Sequence, residues 1–157
     1  MKKLLFLLAA LPLLFLTACH DDDDLPNVNV GITYSGATSV DGTLYAVQGD
    51  TLAIDSVYVT PVEPNSRAAI GSVTYVLDQR IVSYTPFEPF AISIQTAALP
   101  VGKHLLRLDM SVLQVDKSLG AYYLGIPFVI VESKDDIPSG AQGTPGSYKD
   151  QAIPSDK

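Results

Sequence analysis

Tryptophan is absent from these 157 residues, and Cys19 is the single cysteine. One cysteine excludes an intramolecular disulfide, so the fold must stand on its apolar core alone. Basic residues are scarce: 10 Lys and Arg face 17 Asp and Glu, and the basic ones form no cluster. That excludes nucleic acid held through its phosphates and an electrostatic hold on anionic lipid. Sustained helical periodicity is missing, which argues for strands. After Leu16 no apolar run approaches the roughly 20 residues that a spanning helix needs. There is no G-x-S-x-G and no second cysteine, and His104 is the only histidine downstream of the N-terminal region. A serine nucleophile would therefore lack a positioned base, and no catalytic centre is expected.

What is present begins at the N-terminus. Met1-Lys2-Lys3 is basic, Leu4 to Leu16 is apolar around Pro12, and small residues lead to Cys19. This is the three-part layout of an export signal, expected to span residues 1–18. Its removal takes Lys2 and Lys3, leaving eight Lys and Arg against 17 Asp and Glu, a net charge of −9. Leu16-Thr17-Ala18-Cys19 resembles the lipobox of bacterial lipoproteins. The resemblance implies cleavage before Cys19, a diacylglyceryl group on its sulfur and an acylated new N-terminus. No other cofactor is expected. Several chains are needed because one acyl group holds a protein to a bilayer only marginally.

Asp21, Asp22, Asp23 and Asp24 follow at once. This run resembles the export signal of Bacteroidota lipoproteins, which implies a place on the outer face of the outer membrane. Residues 19–26 then form an acidic tether. His20 beside four aspartates suggests a metal site, but consecutive aspartates on a flexible tether lack the fixed geometry of a tight cation site. No metal is assigned.

From residue 27 to 132 the pattern alternates in the strand manner. Val28, Val30, Ile32 and Tyr34 share one parity. Asp41-Gly42 is a turn signal before a short strand from Thr43 to Val47. Leu52 and Ile54 are out of phase with Val57 and Val59, so a bulge near Asp55-Ser56 is expected. Val73, Tyr75 and Leu77 mark another strand, with Asp78-Gln79 turning it into Arg80 to Tyr84. Pro86 and Pro89 interrupt pairing. Phe90, Ile92 and Ile94 resume it. His104 to Val112 and Leu124 to Ile130 supply two more inward sets, with Pro127 on the outward parity, as suits an edge. About seven to eight short strands over this length predict an antiparallel β-sandwich. Residues 133–157 are rich in Gly, Pro, Ser, Lys and Asp, the composition of a disordered tail.

Within this region Val73-Thr74-Tyr75-Val76-Leu77-Asp78, Pro89-Phe90 and Leu99-Pro100-Val101-Gly102-Lys103-His104-Leu105-Leu106 resemble the bacterial immunoglobulin-like domains of surface proteins. The resemblance implies an immunoglobulin-like fold and is almost silent on function, since such domains serve as spacers, adhesins and glycan-capture accessories. Gly102 and His104 are then expected to build a structural corner between the sheets. A metal or general-base role for His104 has no second histidine to support it. Asp109 and Asp116, with Asp78 or Asp55, form no calcium loop of the D-x-D-x-D-G kind. Tyr45, Tyr58, Tyr84 and Tyr123 are the candidates for ligand contact, with sugar or protein as the partner. The expected function is that of a lipid-anchored, non-catalytic interaction or spacer module. A glycan-binding accessory of an uptake complex and a subunit of a surface adhesin or filament are the alternatives.

Overall fold

The structure is a computed structural model that describes residues 25–140, 146–151 and 153–154. Cys19 and Asp21 to Asp24 lie outside the described residues. Eleven strands run in order: β1 (Val28–Ser35), β2 (Thr38–Val40), β3 (Thr43–Val47), β4 (Thr51–Pro61), β5 (Ala68–Leu77), β6 (Arg80–Thr85), β7 (Ile92–Gln95), β8 (Gly102–Gln114), β9 (Gly120–Val131), β10 (Gly146–Gln151) and β11 (Ile153–Pro154). They form two packed sheets. The smaller has the order β10-β1-β4-β7, and the larger has the order β2-β3-β9-β8-β5-β6, with β11 added beside β9. Two short 3-10 turns, Thr96–Ala98 and Lys134–Asp136, complete the described elements.

Seven strands make the frame: β1, β4 and β7 on one side, and β9, β8, β5 and β6 on the other. This order is that of an immunoglobulin-like β-sandwich, in which the first, second and fifth frame strands oppose the third, sixth and seventh, with the fourth added beside the third. Every pairing is antiparallel except that β3 runs parallel to β9, from Leu44↔Phe128 to Val47↔Val131. The alternation sets the core. Val28, Val30, Ile32 and Tyr34 from β1 meet Leu106, Leu108, Met110 and Val112 from β8 and Tyr122, Leu124, Ile126, Phe128 and Ile130 from β9. Each apolar side chain taken fully out of water contributes about 1.5–3 kcal/mol.

Turn chemistry follows the sequence closely. Asp41 and Gly42 have φ of 48° and 75°, and Asp78 and Gln79 have 47° and 71°. Both pairs are two-residue hairpin turns of the left-handed kind that matches strand twist. In β4 the register slips at Asp55: Thr33 faces Ser56, and Tyr34 faces Ile54. The extra residue keeps Ile54 and Val57 in the core, as the phase change of the sequence required.

Two features go beyond that reading. Pro127 does not lie on an edge strand. It falls between residues 122–123 of β9, paired with β11, and residues 128–131, paired with β3. Among the described residues no strand pairs with Pro127 on the side of β9 away from β8. The segment after residue 132, read from its composition as a tail, contributes β10 along β1 and β11 along β9. Backbone pairing to a free edge needs no apolar alternation.

Candidate functional site

The lower corner of the sandwich is built around His104. Asp78 opens the turn after β5, and His104 is the third residue of β8. Nδ1 of His104 lies 2.6 Å from Asp78 Oδ2, and Nε2 lies 2.8 Å from the Pro100 carbonyl. Both partners are acceptors, so the two bonds are made together only by the imidazolium form, in which both ring nitrogens donate. Asp78 Oδ1 also accepts the Leu105 N–H at 2.9 Å. The ring stacks on Phe128 at 5.1 Å between centroids. Burial disfavours the charged ring, but the Asp78 bond, the Pro100 carbonyl and the Asp78 charge outweigh it, and the His104 pKa rises above its ordinary value. Burial likewise opposes ionisation of Asp78, yet the bonds from His104 and Leu105 and the His104 charge bring its pKa down. The corner thus ties the β5–β6 turn, the Pro100 loop and β8 together. Gly102 enters it with φ of 131°, a conformation open to glycine.

The four candidate tyrosines do not converge. Tyr58 faces outward from the smaller sheet, and its ring lies over Gly31, the residue it pairs with on β1. A Cβ at position 31 would enter the ring, so Tyr58 would have to swing aside. Tyr45, Tyr84 and Tyr123 face outward from the larger sheet. Tyr45 lines a cavity of about 260 Å³ with Ala37, Val47 and Ile137. Tyr123 and Tyr84 stand in one cross-strand row, Tyr123↔Asp109↔Thr74↔Tyr84. Three strand spacings separate them, roughly 14 Å. Asp109 is held by Arg107 at 2.8 Å.

The aspartates weighed for calcium are spread out. Asp55 accepts from Ser35, Asp78 sits in the His104 corner, Asp109 pairs with Arg107, and Asp116 belongs to the β8–β9 loop. No group of three His, Cys, Asp or Glu able to hold a metal ion occurs among the described residues. No described helix is long and apolar enough to cross a membrane.

Four of the eleven exposed large apolar side chains among the described residues lie at or beside the free edge of the larger sheet. Ile81, Val82, Tyr84 and Phe87 are 73%, 48%, 60% and 80% exposed. β6 pairs only with β5 among the described residues. Beside it a cleft of about 410 Å³ opens between β6 and β7, lined by Leu77, Val82, Ile92, Ile94 and Leu99 among others. Phe87 projects from a loop that is pinned at three points. Phe90 N–H donates to the Phe87 carbonyl at 3.0 Å, and Val57 N–H donates to the Pro89 carbonyl at 3.0 Å. Tyr75 O–H donates to the carbonyl of Phe90, whose own ring is buried. Burial pushes the Tyr75 pKa well up, so this donor stays protonated. An aromatic displayed on a rigid base loses little entropy when a partner covers it. Tyr84 was legible as a candidate. Phe87 was missed, and its signal was an aromatic residue held between Pro86 and Pro89.

No family model matches the chain, and no curated protein matches it. One solved structure with a similar fold holds the fibronectin(III)-like modules of Clostridium thermocellum CbhA. It is 12% identical, covers 60% of this chain and 92% of its own, and has a TM-score of 0.39.

Proposed function

We propose that this chain is a lipid-anchored, non-catalytic interaction module on the outer face of the outer membrane, and that it binds its partner through the β6 edge and Phe87. The anchor is supported by Cys19 in its lipobox context and by the acidic run Asp21 to Asp24. The observation that carries the binding role is the cluster of Ile81, Val82, Tyr84 and Phe87 at an unpaired strand edge. Contiguous exposed apolar surface of this kind marks interaction sites, and an open edge is a template for another strand. Palmitate labelling of cells tests the anchor: the wild-type chain takes up label and Cys19→Ala does not. A photoreactive aromatic at position 87, on whole cells, tests the binding edge by yielding a discrete adduct.

A second reading, glycan capture, is favoured by the row Tyr123, Asp109, Thr74 and Tyr84. Two aromatic faces flank polar side chains at the spacing of a short oligosaccharide. A glycan array with Tyr84→Ala and Tyr123→Ala variants tests it. Binding lost in both variants supports it, and no binding by the wild type removes it.

A further inference from the structure

We propose that the end of the sandwich where the chain enters is a membrane-contacting face: the tips of the β4–β5 and β8–β9 loops rest on the bilayer and seat Val62, Val115 and Leu119 in its headgroup layer. This rests on the lipid anchor of the proposed function and adds an orientation to it. The elements that meet at this end are fixed by register. Val28 of β1 pairs with Pro61, the last residue of β4, Ala68 opens β5 opposite Gln114 at the end of β8, and Gly120 opens β9 opposite Val112. The entering chain is pinned among them. Pro26 is buried, and Tyr122 O–H donates to its carbonyl. Asn27 N–H donates to Gln114 Oε1 at 3.0 Å, and the Asn27 carbonyl accepts the Val62 N–H at 2.9 Å. Gln114 is buried, and its Nε2 donates to Ser66 Oγ at 3.1 Å and to Glu63 Oε2 at 3.3 Å. Val115 N–H donates to the Arg67 carbonyl at 3.0 Å, and Lys117 pairs with Glu63 at 3.3 Å. One buried amide thus ties the entry to both loops. Val62, Val115 and Leu119, each at least half exposed, stand on this base. Side chains displayed on a fixed base lose little freedom when covered.

The length of chain before this end selects the occupant. Seven residue steps separate Cys19 from Pro26, at most about 25 Å of chain. The 13 residues of β8 run the height of the sandwich, about 40 Å. An upended sandwich would lift Pro26 beyond the reach of a lipid on Cys19. Exposure alone would not choose between the ends, since Val101 at the opposite end is exposed too. The anchor chooses, because it holds the pinned end beside the bilayer. Contact with lipid is then an intramolecular event, so a few apolar side chains suffice where an untethered domain would need more.

Charge sets the kind of lipid. Residues 62–67 and 115–119 carry Glu63, Arg67, Asp116 and Lys117, two of each sign. Asp21 to Asp24 are repelled by an anionic surface. The contact is therefore apolar and suits a zwitterionic headgroup layer. Loop backbone cannot leave its hydrogen-bond partners for hydrocarbon, so only the side-chain tips enter. In this orientation the β6 edge stays open to a partner. Thr85, the end of β6 nearest the bilayer, is level with Met110, four residues or about 13 Å short of Gln114.

The test uses the full acylated chain, purified from cells that express it and returned to phosphatidylcholine vesicles containing a nitroxide-labelled phosphatidylcholine. With Cys19 blocked by its lipid, Val62→Cys, Val115→Cys, Leu119→Cys, Phe87→Cys and Val101→Cys each offer one thiol for a fluorophore. The expected result is quenching at positions 62, 115 and 119 at least fivefold that at 87 and 101. Adding Val62→Asp and Leu119→Asp to Val115→Cys brings quenching at 115 down to the level of 101. Equal quenching at 119 and 101 overturns the proposal, as does quenching at 115 that the two aspartates leave unchanged. Stronger quenching at 87 than at 119 also overturns it, because the sandwich then lies on its β6 edge. Palmitate labelling separates the two levels: a wild-type chain that takes up no palmitate refutes the anchor and the orientation together, whereas an acylated chain with no quenching at 119 refutes the orientation alone.

Discussion

His104→Ala tests the electrostatic corner. The side chain of His104 is 5% exposed, and that of Asp78 is 45% exposed. A hydrogen bond to a charged group contributes about 1.5–3 kcal/mol when shielded from water. Asp78 is too exposed for the full value, because water screens the pair and can replace the ring, so its share is about 1 kcal/mol. The Pro100 carbonyl bond adds about 1 kcal/mol. Removing the ring from Phe128 costs about 0.5–1 kcal/mol more. The expected loss is therefore about 2–3 kcal/mol at pH 6, read from the midpoint of urea unfolding.

The dependence on pH follows from the direction of each shift. The folded pKa of His104 is raised, so its contribution is complete below the ordinary histidine value of about 6.5 and is lost as pH rises through the folded value. Asp78 is lowered, so its contribution is complete above about 3.9 and is lost as pH falls through its folded value. Wild-type stability should be greatest between those limits and should decline above them. His104→Gln should abolish the decline on the alkaline side. Parallel stability curves for wild type and His104→Gln from pH 6 to 9 would refute the imidazolium assignment.

Three buried tyrosines offer a contrast. Tyr34 O–H finds no partner among the described residues, whereas Tyr75 donates to the Phe90 carbonyl and Tyr122 to the Pro26 carbonyl. Tyr34→Phe should leave urea stability within about 0.5 kcal/mol, and Tyr75→Phe or Tyr122→Phe should cost about 1–2 kcal/mol. Gly31→Ala drives a methyl into the Tyr58 ring. Its cost, about 1 kcal/mol, should largely vanish in a Tyr58→Ala background if the ring is the obstacle. Leu106→Ala, at a fully buried position of β8, should cost about 2–5 kcal/mol in the same assay.

Local rules carried most of the frame. The period of two placed Val28, Val30, Ile32 and Tyr34 inside, and the phase change in β4 located the bulge at Asp55. Asp78-Gln79 read as the start of a tight connection, and both residues adopt left-handed backbone there, which Asp78 tolerates well. Non-local pairings were not legible. Nothing in Thr43 to Val47 says that it lies parallel to β9, and nothing in Gly146 to Gln151 says that it lines β1. Such contacts depend on which edges are left free once the core has formed. The same limit hid the site. The residues of β6 were read as a strand, but that it ends a sheet, beside an open cleft, is a property of strand order. His104 was expected at a corner, while Asp78, 26 residues away, could not be seen as its partner.

The central claim is that the β6 edge and Phe87 are where this chain meets another molecule. The most direct measurement is photo-cross-linking on whole cells with a photoreactive phenylalanine analogue in place of Phe87, compared with the same analogue at Leu113. The account predicts a discrete adduct from position 87 that Ile81→Lys abolishes, with none from position 113. Equal, diffuse labelling from both positions, or no adduct at position 87, would contradict it.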